Sequence, residues 1–209
     1  MASFNLIKEE VHRRIFQLSL LAIPIGYHFL GKWKLLSILI PVSIAVISLD
    51  FYRHKNQKIQ SYFAKVFGSA LHENELEQNK FCDISYVLLA FAVIFLLFKS
   101  EIAILGTFVF IICGFAAAIV EKCYRSEPFF EKTLYGSAAF FIIGILILIT
   151  LGSHYHFGAS WYCFGLFSLF AATIIEARPS LLEINSNFII PFSFALTMSV
   201  FDIIWNYNY

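Results

Sequence analysis

The stretch "IAILGTFVFIICGFAAAIV", residues 102–120, carries no charged side chain. A helix needs roughly 20 predominantly apolar residues to cross the hydrocarbon of a bilayer. No soluble core helix has to be that long and that uniformly apolar. Working outward, comparable runs lie near residues 15–31, 33–49 and 84–98 on one side, and 134–151, 157–175 and 187–204 on the other. The expected fold class is therefore all-α: a polytopic integral membrane helix bundle of about seven transmembrane helices, forming a single membrane domain over residues 1–209. Pro24, Pro41 and Pro191 fall inside these runs, where neighbouring helices can satisfy the freed backbone groups.

Composition agrees with that class. Hydrophobic residues make up 59% of the chain, aromatic residues 18% and charged residues only 14%, against about a quarter charged in a typical soluble domain. The net charge of +1 hides a strong asymmetry. With seven spans, Lys8, Arg13, Arg14, Arg53, Lys55, Lys58, Lys65, Lys80, Lys122, Arg125, Lys132 and Arg178 share one side of the membrane, leaving Lys32, Lys34 and Lys99 on the other. Basic loops are retained in the cytoplasm. The N-terminus is thus expected inside and the C-terminus outside, in the inner membrane of a bacterium, with no nucleic-acid partner.

Residues 50–83 form the longest polar segment. Ile59, Tyr62, Phe63, Val66, Phe67, Ala70 and Leu71 recur there at helical spacing, flanked by Lys58 and Lys65, which predicts an amphipathic helix lying in the cytoplasmic membrane interface. Cys82, Cys113, Cys123 and Cys163 have no C-x-x-C spacing, and are read as free thiols. His154 and His156 are two residues apart, but a solvated loop explains them better than a metal site. No P-loop, G-x-G-x-x-G or H-E-x-x-H motif is present.

The remaining polar cluster is "EKCYRSEPFFEKTLYGSAAFF", residues 121–141. It sets Glu121, Lys122, Arg125, Glu127, Glu131 and Lys132 before Gly136 and Ser137, at the mouth of the next apolar run. Cations near a helix N-terminus suit a phosphate, because free amides and the helix dipole add to their charge. A positive-inside loop explains the same cations equally well.

Five segments in order give the chain a resemblance to the CTP-dependent lipid kinases, the dolichol, diacylglycerol and phytol kinases, which are related to phosphatidate cytidylyltransferases. Glu10, Arg13 and Arg14 look like the family's E-x-x-R-[RK] entry. Asp50 and Arg53 in "LDFYR", and Phe67, Gly68, Leu71 and Glu75 in "VFGSALHENE", follow. "GFAAAIVEK" and "EKTLYGS" look like the family's Gly-Asp-x-x-Ala and Lys-[Ser/Thr]-x-x-Gly-[Ser/Thr] pair, and "ATIIEARP" is similar to its late A-T-x-x-E segment.

That resemblance implies phosphotransfer from CTP to a membrane lipid, with magnesium, at the cytoplasmic surface. It implies Lys132 and Glu176 as catalytic residues, and Arg13, Arg14, Lys122, Lys132, Thr133, Gly136 and Ser137 as contacts to the nucleotide phosphates. Asp50, Glu75 and Glu121 are the expected metal carboxylates. The sequence departs from the family at three points: Phe115 occupies the place of the metal-binding aspartate, Gln17 that of a histidine, and no glycine lies between Glu121 and Tyr135. Cytidylyl transfer to phosphatidate, and a catalytically degenerate protein of the same fold, are the alternatives.

Overall fold

A computed structural model describes residues 17–53, 55–67, 81–124, 126–181 and 184–207. The chain divides into two compact units, the first ending at Ala92 and the second beginning at Val93. Five stretches are long and apolar enough to cross a membrane: Gln17–Arg53, Ser100–Cys123, Leu134–His154, Ala159–Ala177 and Ser186–Trp205.

In the first unit, α1 (Ala22–Arg53) contains the first two expected spans in one run. Gly31, with φ 74 and ψ 171, breaks it. That conformation is essentially reserved for glycine, so the chain bends where "LGKWK" separates the two apolar segments. Helix α2 (Gln57–Phe67) packs against α1. Phe63 is buried on it and Ile59 half-buried, whereas Lys58, Tyr62 and Lys65 are exposed. Ala70 and Leu71, also expected on this helix, lie outside the described residues. Asn56 caps α2, its side-chain oxygen accepting from the Lys58 amide at 2.9 Å.

Helix α3 (Asp83–Leu97) is the third expected span, and at 15 residues it is the short one. Ser43 ties α1 to it: the hydroxyl donates to the Leu39 carbonyl at 2.7 Å and lies 3.3 Å from that of Leu88. A hydroxyl in apolar surroundings is tolerated when it bonds back to a carbonyl one turn earlier.

The second unit is a bundle of four antiparallel rods. The first rod is continuous: α4 (Ser100–Phe108), a π-helical turn (Val109–Cys113) and α5 (Gly114–Cys123). Helices α6 (Leu134–His154), α7 (Ala159–Ala177) and α8 (Ser186–Tyr207) follow. Each packs on its predecessor, and α8 closes the ring against α4. Notches left by small residues set the approach of α6 and α7. A Cβ at Gly144 would fall 2.3 Å from Leu169 Cδ1, and one at Gly165 would fall 2.2 Å from Leu148 Cδ1. The two leucines thus fill each other's facing gaps, the close packing by which membrane helices associate. At the far end, Lys99 pairs with Asp202, joining the start of α4 to the end of α8.

Between α5 and α6 the chain forms a small antiparallel hairpin of β1 (Pro128–Phe129) and β2 (Lys132–Thr133), with Pro128 opposite Thr133. An irregular loop was expected at that point.

Candidate functional site at one end of the four-helix unit

Helix ends supply the site. The last turn of α5 carries Glu121 and Lys122, the hairpin carries Lys132 and Thr133, the first turn of α6 carries Gly136 and Ser137, and the last turn of α7 carries Glu176. Short connections make successive helices antiparallel, so residues 55 positions apart in sequence meet at one end of the bundle.

Gly136 lies at the centre of this group. A Cβ there would meet the Ala117 carbonyl oxygen and Glu121 Cβ at 3.4 Å each, and Thr133 Oγ1 at 3.0 Å. The glycine is therefore where α6 presses on α5. Glu121 Oε2 lies 3.5 Å from Lys132 Nζ, with both side chains about a quarter to a third exposed. On the other side, the Ser137 hydroxyl donates to Glu176 Oε2 at 3.4 Å, and both residues are buried. Two carboxylates, one ammonium and two hydroxyls thus surround a single helical turn. A buried carboxylate within a membrane protein is costly unless partnered, and Ser137 is one such partner.

The backbone at this turn is already engaged. The Leu134 amide donates to the Glu127 carbonyl at 3.0 Å, that of Tyr135 to Ser126 Oγ at 3.1 Å, and that of Gly136 to Thr133 Oγ1 at 3.2 Å. Thr133 is the N-cap of α6, a role its residue type favours. The free amides expected for a phosphate at this helix end are taken up within the chain, so an anion here must be held by side chains. Ser126, which carries no motif signal, could have been found only from the fold.

The hairpin is held across the bundle end. The Glu131 amide donates to the Ala177 carbonyl at 3.0 Å, and Ser180 Oγ donates to Glu131 Oε1. These contacts place Lys132 between α5 and α7. A shallow depression beside it is lined by Ser126, Glu127, Leu134 and Tyr135. Lys122 is exposed.

Asp50 belongs to the first unit and is fully buried. Its Oδ1 lies 2.5 Å from Arg53 Nε, while Oδ2 accepts from the Cys82 amide at 2.7 Å and from Ser85 Oγ at 2.6 Å. The Arg53 guanidinium in turn sits 5.2 Å from the centre of the Phe63 ring. Both carboxylate oxygens are committed to joining α1, α2 and the start of α3, which does not fit a metal ligand. Arg13, Arg14 and Glu75, and also Arg125, lie outside the described residues. Phe115 is half-buried in the first turn of α5, about 9 Å along the helix axis from Glu121 at 1.5 Å per residue.

Among the described residues, no three histidine, cysteine, aspartate or glutamate side chains gather to hold a metal ion. Magnesium, however, is commonly bound through one or two carboxylates, with phosphates and water completing its shell. Glu121, beside Lys132, and Glu176, beside Ser137, are two carboxylates at this end of the unit.

No family model matches the chain, and no solved structure does. The chain is similar to a protein of Rickettsia prowazekii described only as uncharacterized, at 27% identity over 199 residues, covering 93% of this chain and 96% of that protein. The likeness therefore runs through both units.

Proposed function

We propose that this membrane protein transfers a phosphoryl group from CTP to a lipid alcohol, either a polyprenol or dolichol-like alcohol or diacylglycerol, at the cytoplasmic face. One observation carries the proposal: Glu121, Lys132, Thr133, Gly136, Ser137 and Glu176, which bear the resemblance to lipid kinases, gather around the first turn of α6. Phosphoryl transfer asks little covalent chemistry of a protein and much positioning and charge neutralisation. Lys132 neutralises the phosphate chain. Ser137, held by Glu176, faces the acceptor hydroxyl, and Glu176 takes its proton. Glu121 and Glu176 would hold magnesium, which supplies further neutralisation of the phosphates when bound.

The orientation follows from the same end of the bundle. Lys122, Lys132 and Arg178 cluster there, with Lys99 opposite, which supports a cytoplasmic site. Counting Gln17–Arg53 as two crossings at Gly31, and Asp83–Leu97 as one, gives seven spans with the C-terminus outside. Helix α2 then lies in the cytoplasmic interface.

Purified protein incubated with radiolabelled CTP, magnesium and a panel of lipid alcohols tests the activity. A labelled lipid phosphate is the expected product, and absence of transfer to every acceptor, beside an active lipid kinase as control, sinks the idea. A cytidine-containing lipid would instead establish the cytidylyltransferase. A second reading, a non-catalytic protein of the same fold, is favoured by Phe115 and by the occupied amides of Leu134, Tyr135 and Gly136.

A further inference from the structure

The hairpin carries a feature that phosphotransfer does not use. Phe130, at its tip, has φ 56, and its side chain is 58% exposed. A bulky residue in the left-handed region is a genuine outlier, and such strain persists only where the surroundings impose it. Here they do: the next residue, Glu131, is fastened by its amide to Ala177 and by its carboxylate to Ser180. The Phe129 ring meets that of Phe130 edge-on at 4.8 Å. The chain thus holds an apolar ring outward at a position where glycine would be unstrained and asparagine less strained.

The level of that ring follows from the helices beside it. At 1.5 Å per residue, α6 with its 21 residues is about 31 Å long and α7 with its 19 about 28 Å, close to the ~30 Å of bilayer hydrocarbon. Leu134 and Ala177 therefore stand at the hydrocarbon edge. The Glu131 to Ala177 hydrogen bond keeps the hairpin tip at the same level, lying across the helix ends rather than projecting into water. The opposite ends of α6 and α7 bear Tyr155, Phe157 and Trp161, with the last two rings stacked at 4.6 Å. Tyrosine and tryptophan are enriched at such boundaries, which marks the other interface.

We propose that Phe130, together with the exposed Leu134 and Tyr135, forms a wedge seated at the hydrocarbon edge just beneath the headgroups of the surrounding bilayer, and that this wedge holds the Lys132 and Glu176 cluster at the depth of a lipid headgroup. Its partner is the phospholipid interface. Among the described residues the exposed charges around it are balanced, Lys122 and Arg178 against Glu127 and Glu131, so the proposed attraction is apolar and independent of anionic lipid. The wedge rests only on the second unit spanning the membrane, and stands or falls separately from phosphotransfer.

The test is site-directed spin labelling in the full chain. Cys123 and Cys163, the exposed thiols, are replaced by serine and alanine, and a nitroxide is attached through Phe130→Cys. The protein is reconstituted into vesicles of phosphatidylcholine with and without phosphatidylglycerol. Collisions with oxygen are expected to exceed those with a water-soluble nickel chelate, equally in both vesicles. A label dominated by the nickel chelate overturns the wedge, as does one that enters the bilayer only when phosphatidylglycerol is present. Should Phe130→Cys fail to fold, Tyr135→Cys decides by the same criterion, since it shares the layer.

Discussion

Arg53 Nε lies 2.5 Å from Asp50 Oδ1, one turn away on the same helix, and neither side chain reaches solvent. The pair is a junction. Asp50 reaches forward to the Cys82 amide and the Ser85 hydroxyl, while Arg53 covers the Phe63 ring. A carboxylate expected to bind metal is thereby employed in holding three helices of the first unit together.

Removing one partner of a buried ion pair leaves the other uncompensated, at a cost of about 3–5 kcal/mol. Asp50→Asn and Arg53→Ala are each expected to lose most of the folded protein, read as loss of a monodisperse peak in detergent. Soluble, thermally stable Asp50→Asn lacking only metal-dependent transfer would instead show a ligand.

Lys132 presents the opposite case. Its pairing with Glu121 is long and partly solvated, the kind worth about 0–1 kcal/mol. Lys132→Ala is expected to leave the unfolding temperature in detergent nearly unchanged. The removal of a preorganised charge at a reacting phosphate should lower transfer from CTP by on the order of 10²-fold or more.

At Gly136 the obstacle is the cap. A methyl group would crowd Thr133 Oγ1 at 3.0 Å, and that hydroxyl cannot turn away without giving up its bond to the Gly136 amide, while the Ala117 carbonyl at 3.4 Å leaves no room to shift toward α5. Gly136→Ala is expected to destabilise by about 1–3 kcal/mol, as overpacking does. Thr133→Ala should cost about 1 kcal/mol through the lost cap. Because the two residues are in contact, their effects should not add, and a double-mutant cycle on thermal unfolding checks this.

Gly31 offers a contrast, since nothing lies within 4 Å of a Cβ built there. Only its backbone conformation excludes a side chain. Gly31→Ala and Gly31→Asn are each expected to cost on the order of 1–3 kcal/mol without any steric clash, because asparagine's tolerance of positive φ is confined to the left-handed helical region and does not extend to ψ 171. Either variant as stable as the parent in thermal unfolding would contradict the break in α1.

Much of the helical layout was legible in the chain. The apolar runs at 134–151, 157–175 and 187–204 became Leu134–His154, Ala159–Ala177 and Ser186–Tyr207, because in hydrocarbon a backbone must satisfy its hydrogen bonds within its own segment. Local composition therefore decides where such helices run. The boundary between the first two runs was legible as well, at the glycine of "LGKWK".

The hairpin and the fate of the carboxylates were not legible, because neither is local. Two-residue strands have no periodicity to read. This hairpin is held by Ala177 and Ser180, 46 and 49 residues beyond the groups on Glu131 that bond them. Asp50 and Glu121 look alike in sequence, as acids near the ends of apolar runs. Tertiary structure separated them: one meets an arginine, an amide and a hydroxyl out of solvent, and the other a half-exposed lysine. The sequence by itself determined that the chain is helical and membrane-embedded, since that depends on apolar length. Only the fold decided which charges hold helices together and which stand at the bundle end, because a charge takes its role from the partners and solvent that surround it.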